Sequence, residues 1–141
     1  MRRRNFLGAL GGAAAWPLAV RAQQPERMRR LGVLMGRLEG DTEGQARMAA
    51  FWDQLQKLGW MEGRTIRIDI RWQTPDADSL HRFAKELVAL QPDVILSEST
   101  PPTAALLQQT RAIPIVFAVV SDPIGSRFVA SLARPGGNVT G

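Results

Sequence analysis

Three short stretches of this chain combine small, hydroxyl and acidic residues in positions that suit the grip of a small anionic or zwitterionic molecule. They are Gly36-Arg37-Leu38-Glu39, Ser97-Glu98-Ser99-Thr100 and Val120-Ser121-Asp122. Each follows an apolar run that reads as a strand and precedes a helical pattern. A helix N-terminus carries unpaired N–H groups and a partial positive charge, so hydroxyl residues placed there suit a carboxylate. Gly36, Ser99, Thr100, Ser121 and Asp122 are the candidate ligand-binding residues. Ser99, Thr100 and Asp122 equally suit plain helix capping.

Reactive chemistry is harder to assemble. The chain has no cysteine and a single histidine, His81. Disulfides, thiolate metal sites and cysteine nucleophiles are excluded, and a His-rich metal site or a Ser-His-Asp triad lacks its parts. Neither G-x-x-x-x-G-K-[ST] nor G-x-G-x-x-G occurs; Gly36 and Gly40 alone make a weak phosphate loop. Asp93 starts an apolar run rather than ending one, which turns it away from a ligand edge. His81 falls between Leu80 and Arg82 on a helix and reads as a surface residue. Trp52, Trp60 and Trp72 read as packing residues. No catalytic residue, metal or cofactor is expected.

The elements that position these loops follow from periodicity. Leu31–Met35, Val94–Leu96 and Ile115–Val120 are continuous apolar runs, as in strands buried on both faces. Ile66, Ile68, Ile70 and Trp72 alternate with polar residues, as in a strand with one wet face. Met48, Phe51, Trp52, Leu55 and Leu58 repeat at helical spacing, with Thr42 to Gln45 as a capping box and Gly59 past the end. Leu80, Phe83, Ala84, Leu87 and Val88 mark a second helix capped by Asp78 or Ser79. Pro101 and Pro102 suit the first turn of a third. A fourth is expected from Asp122-Pro123 through Leu132. The order βαβαβαβα predicts a doubly wound parallel sheet, order 2-1-3-4, with helices on both faces and the alternating strand at an edge.

The N-terminus reads as an export signal. Arg3-Arg4-Asn5-Phe6-Leu7 has twin-arginine character, a mostly apolar stretch runs to Val20, and Val20-Arg21-Ala22 suits cleavage. The expectation is a signal peptide over 1–22, with the mature segment 23–141 working in the periplasm. The chain holds 18 basic and 13 acidic residues; removing Arg2, Arg3, Arg4 and Arg21 leaves 14 basic residues and a net charge of +1. That balance argues against a nucleic-acid surface. Arg27, Arg29 and Arg30 read as a solvated leader.

Several stretches resemble one family. Leu58-Gly59-Trp60-Met61-Glu62-Gly63-Arg64, Ile68-Asp69-Ile70-Arg71-Trp72, Ile113-Pro114-Ile115-Val116-Phe117, Ser121-Asp122-Pro123-Ile124 and Leu132 through Gly141 are similar to substrate-binding proteins of ABC transporters, the group linked to tryptophan/tyrosine-type uptake. The resemblance implies a Rossmann-like lobe of a two-lobed, type 1 periplasmic binding protein. It also implies a small solute such as an amino acid, an ABC permease as partner and no enzymatic activity. Its ligand contacts carry over to the loop near Gly36, to Ser99 and Thr100, and to Ser121 and Asp122. The segment from Gly36 to Gln45 departs from the family pattern by lacking its proline features. Family members are about twice as long, at the usual ~100–200 residues per domain. The chain is therefore expected to be an N-terminal lobe without its second lobe, which a separate chain would have to supply. The competing readings are a non-functional remnant, a small nucleotide-binding or hydrolytic α/β domain, and the sensing domain of a repressor.

Overall fold

Strands β1 (Arg29–Met35), β2 (Ile66–Trp72), β3 (Val94–Glu98), β4 (Ile115–Ala118) and β5 (Val139–Thr140) form one parallel sheet in a computed structural model that describes residues 27–141. The sheet order is β2-β1-β3-β4-β5. The expected 2-1-3-4 core is present, and the two-residue β5 is an addition that pairs Ile115 with Val139 and Val116 with Thr140. The expected signal peptide, Trp16 included, lies outside the described residues.

Helices α1 (Thr42–Lys57), α2 (Ser79–Ala89) and α3 (Thr100–Gln109) make the crossovers. Two apolar clusters divide the core by face. On one side α2, α3 and the sheet bury Leu34, Leu87, Ile95, Leu106, Ile115 and Val139. On the other, α1 packs Met48, Phe51 and Leu55 over Leu31, Val33, Met35 and Ile66. The alternating strand β2 pairs only with β1 and sits at the edge, as its pattern predicts.

Local chemistry differs from expectation at several points. Asp41, not Thr42, caps α1; its carboxylate accepts from the Gly44 N–H at 2.7 Å. Asp78 stands at the α2 cap position without a side-chain cap bond. Ser79, buried at the first helical position, instead accepts from the Thr74 N–H at 3.2 Å. Gly59 ends α1 with φ of 92°, the left-handed conformation a side chain would resist.

The expected fourth helix does not form. From Asp122 onward the chain makes turns: Asp122 accepts from the Gly125 N–H at 2.8 Å, and Arg127 adopts φ of 59°, which breaks helical continuation. Val129 is buried in the α2–α3 cluster, and Phe128 packs against it. β4 is also shorter than expected. It stops at Ala118, and Val119 takes a φ of 59°, a strained backbone for a β-branched residue.

The basic run is structural, not a solvated leader. Arg29 and Arg30 belong to β1, and the Arg30 N–H donates to Asp93 at 2.8 Å. Arg27 pairs with the same carboxylate, and Arg29 approaches it at 3.9 Å. Asp93 thus staples the start of β1 to the start of β3. The Arg30 N–H holds the Asp93 carboxyl below its ordinary 3.8; Arg27 and Arg29 reinforce this against a partial burial cost. A depressed carboxyl pKa contributes stability that is present above 3.8 and lost as pH falls through the folded-state value. Urea unfolding between about pH 5 and pH 2 should therefore show a shallower acid loss for Asp93→Asn than for the natural chain. Parallel acid limbs in the two proteins would contradict the assignment.

Candidate functional site

The carboxyl ends of β1, β3 and β4 lie side by side, because β1 pairs with β3 and β3 with β4 in register: Met35 with Glu98, and Glu98 with Ala118. Open parallel sheets bind ligands beyond this edge. Gly36, Ser99 and Thr100 meet here, and Ser121 and Asp122 follow β4 at the same edge.

Gly36 and Ser99 are in direct contact. A Cβ at Gly36 would collide with Ser99 Oγ, stand 2.9 Å from the Glu98 carbonyl oxygen and 3.0 Å from Pro102 Cγ. Only glycine permits that approach. Ser99 occupies the cap position of α3 with φ of 78° and ψ of 172°, and its side chain makes no cap bond. Its backbone is committed elsewhere: the N–H donates to Ala118 O at 2.9 Å, and the carbonyl accepts from Thr103 Oγ1 at 2.8 Å. Thr103 also shares a buried hydrogen bond with Ser97 at 2.8 Å. Pro101 and Pro102 carry no N–H. Of the amides opening α3, Thr100 is therefore the one left for a ligand, fewer than a helix N-terminus normally offers.

Ser121 and Asp122 are exposed, and the helix that was to follow them is absent. The Asp122 carboxylate is used in its own turn. The helix-dipole argument fails at these two residues; their place at the strand edge remains.

The dominant polar feature is one that the spacing of residues did not announce. Glu98, 4% exposed, ends β3. Its Oε1 accepts from Arg37 Nε at 3.2 Å and Arg47 Nη1 at 2.6 Å, and its Oε2 accepts from the Gly36 N–H at 3.3 Å. Arg37 continues to Asp41 and Glu43, each at 3.2 Å, and Arg47 also pairs with Glu43. The network ties the β1 loop, α1 and β3 together. The Glu98 hydrogen bond raises the Arg37 pKa, with Glu43 and Asp41 adding to it against partial desolvation. Asp41 is pushed below its ordinary value, first by the Gly44 N–H and then by Arg37. Above this network lies an open cleft of about 570 Å³ lined by Gly36, Arg37, Leu38, Gly40, Asp41 and Gln73. The only sequence signal for Glu98 was an acid closing an apolar strand.

His81 is exposed on α2, and Asp93 sits at the opposite edge of the sheet. Among the described residues no group of three or more His, Asp or Glu side chains could hold a metal ion.

Comparison with known proteins agrees with this architecture. The chain is 35% identical over 91 residues to a tyrosine-binding protein of Clostridioides difficile (strain R20291), covering 64% of this chain and 26% of that protein. A conserved domain protein of Vibrio cholerae superposes with a TM-score of 0.75 at 30% identity, covering 82% of this chain and 38% of the other. The ABC domain from Streptococcus pneumonia in complex with L-Trp gives 0.74 at 29% identity, over 82% and 38%. A ligand-free, open substrate-binding protein with adhesive properties from Clostridium difficile gives 0.73 at 28%, over 79% and 37%. The chain thus spans about a quarter of the curated relative and under two fifths of the solved ones. The model of the ABC transporter substrate binding protein family matches residues 35–141, most of the sheet and the whole candidate edge, and the chain belongs to that family.

Proposed function

We propose that this chain is the N-terminal lobe of an extracytoplasmic solute-binding protein serving an ABC uptake transporter. The solute is a small amino acid, and an aromatic one is favoured by the printed ligands of two relatives, tyrosine and L-Trp. The observation that carries the reading is the meeting of Gly36, Ser99 and Thr100 at the carboxyl edge of the sheet, over the Glu98 network. In this reading the Thr100 amide and the Ser99 and Thr100 hydroxyls hold the solute carboxylate. Ser121 and Asp122 contribute from the β4 loop, where a carboxylate suits the solute ammonium. Residues 1–22 direct export to the periplasm and are removed, residues 23–141 form the lobe, and a permease receives the solute. A second lobe, covalent or separately encoded, closes the cleft.

Titration of the isotopically labelled chain with L-tryptophan, followed by amide resonances, tests the site. The Gly36, Thr100 and Ser121 amides should shift first. Shifts confined to residues at the opposite edge, such as Arg29 and Asp93, would refute the site.

A further inference from the structure

Parallel sheets ordinarily bury both faces, because their crossovers lay helices across each. Here α2 and α3 cover one face, whereas α1 covers the other only above β1, β2 and the near side of β3. The segment after β4, where a fourth helix was expected, turns instead to the α2–α3 side and packs Phe128 and Val129 there. The result is an apolar groove along the strands with α1 as one wall. Its two ends are hollows of about 420 and 350 Å³ that share Phe51 and Leu96. Trp60, 36% exposed, stands at one end and Val119, 55% exposed, at the other, with Val116 between them at 38%. A wet apolar surface of this continuity marks an interaction site.

Charge distinguishes the ends. Around the Trp60 end stand Arg27, Arg29 and Arg64, with Asp93 as the facing carboxylate. Around the Val119 end stand Asp41, Glu43 and Glu98, with Arg37 and Arg47 among them. The molecule is thus more basic at one end of its groove and more acidic at the other. Such a surface is complementary to itself when turned through a two-fold axis.

We infer that the groove docks a second copy of this chain. The two copies lie antiparallel, α1 beside the bare β4 of the other. The basic end of each faces the acidic end of its mate. Each copy supplies the missing helical cover for the other's sheet.

Sedimentation velocity over a range of concentrations tests this on the full chain and on the same chain begun at Gln23. Both should associate to dimers in the micromolar range. Val119→Asn removes an apolar contact yet suits the left-handed backbone at that position, so the fold is retained. It should weaken association about tenfold or more. Raising salt from about 50 to 500 mM should weaken it further, since the paired ends are exposed to screening. Monomers at every concentration would overturn the inference and leave the groove to a helix of another polypeptide. A dimer of the shortened chain alone would give the groove to the apolar leader and overturn it equally. A dimer indifferent to both Val119→Asn and salt would place the interface elsewhere.

Discussion

Offered L-tryptophan in a calorimeter, this chain by itself should bind about a hundredfold or more weakly than a complete two-lobed relative. Two-lobed binders close around the solute and take it out of water from both sides. The solved relative that holds L-Trp is matched over 38% of its length. Loss of about three net hydrogen bonds at ~1 kcal/mol each, against ~1.4 kcal/mol per tenfold, gives that factor before apolar contact is counted. The residual affinity should rest on the α3 start. Ser99→Ala with Thr100→Ala should abolish it, while His81→Ala, on the exposed side of α2, should leave it unchanged. Affinity equal to that of a two-lobed relative and indifferent to the paired replacement would show that the lone edge is not the binding site.

Glu98→Ala should destabilise the fold by about 2–4 kcal/mol, within the range for breaking a buried ion pair from one side. The carboxylate is nearly inaccessible and satisfies three donors on two other elements. Arg37 and Arg47 are each about a third exposed and regain some hydration, which keeps the loss below the extreme. Glu98→Gln retains an acceptor for the Gly36 N–H and should recover part of it. Chemical denaturation measures the difference. A change below about 0.5 kcal/mol, the size of an ordinary surface substitution, would mean that the network is ornamental to stability.

The sheet order was legible because two independent signals pointed the same way: alternation in β2, and continuous apolar runs in β1 and β3. Helices α1 to α3 were legible from their stripes. The fourth was not, although Ile124, Phe128, Val129 and Leu132 suit helical spacing. The Asp122–Gly125 turn and the left-handed Arg127 stop the winding, and tertiary contact then takes Val129 into the α2–α3 cluster. Leu132 is left 65% exposed. Periodicity reports which residues are apolar, not which of two faces receives them. The candidate edge was legible in Gly36 and Ser99 as strand-end residues. Their collision-close packing was not, nor was the Glu98 network. Glu98 meets Arg47 and Arg37 across sequence separations of 51 and 61 residues, beyond any local pattern.

The position of β1 carries a consequence for the order in which the chain acquires its shape. β1 is the first strand to be synthesised, yet it lies inside the sheet, with Leu31 beside Ile68 on one flank and beside Val94 on the other. Neither neighbour exists until well over half of the domain has left the ribosome. Such distant pairings make the search slow, because the entropy of closing long loops is lost before the contacts reward it. During that interval Leu31, Val33 and Leu34 form an unpaired hydrophobic strand, the kind of segment that invites chaperones or mispairing. A carrier that accepts finished folds must wait for β3 to arrive; one that threads slack chain must act before it does.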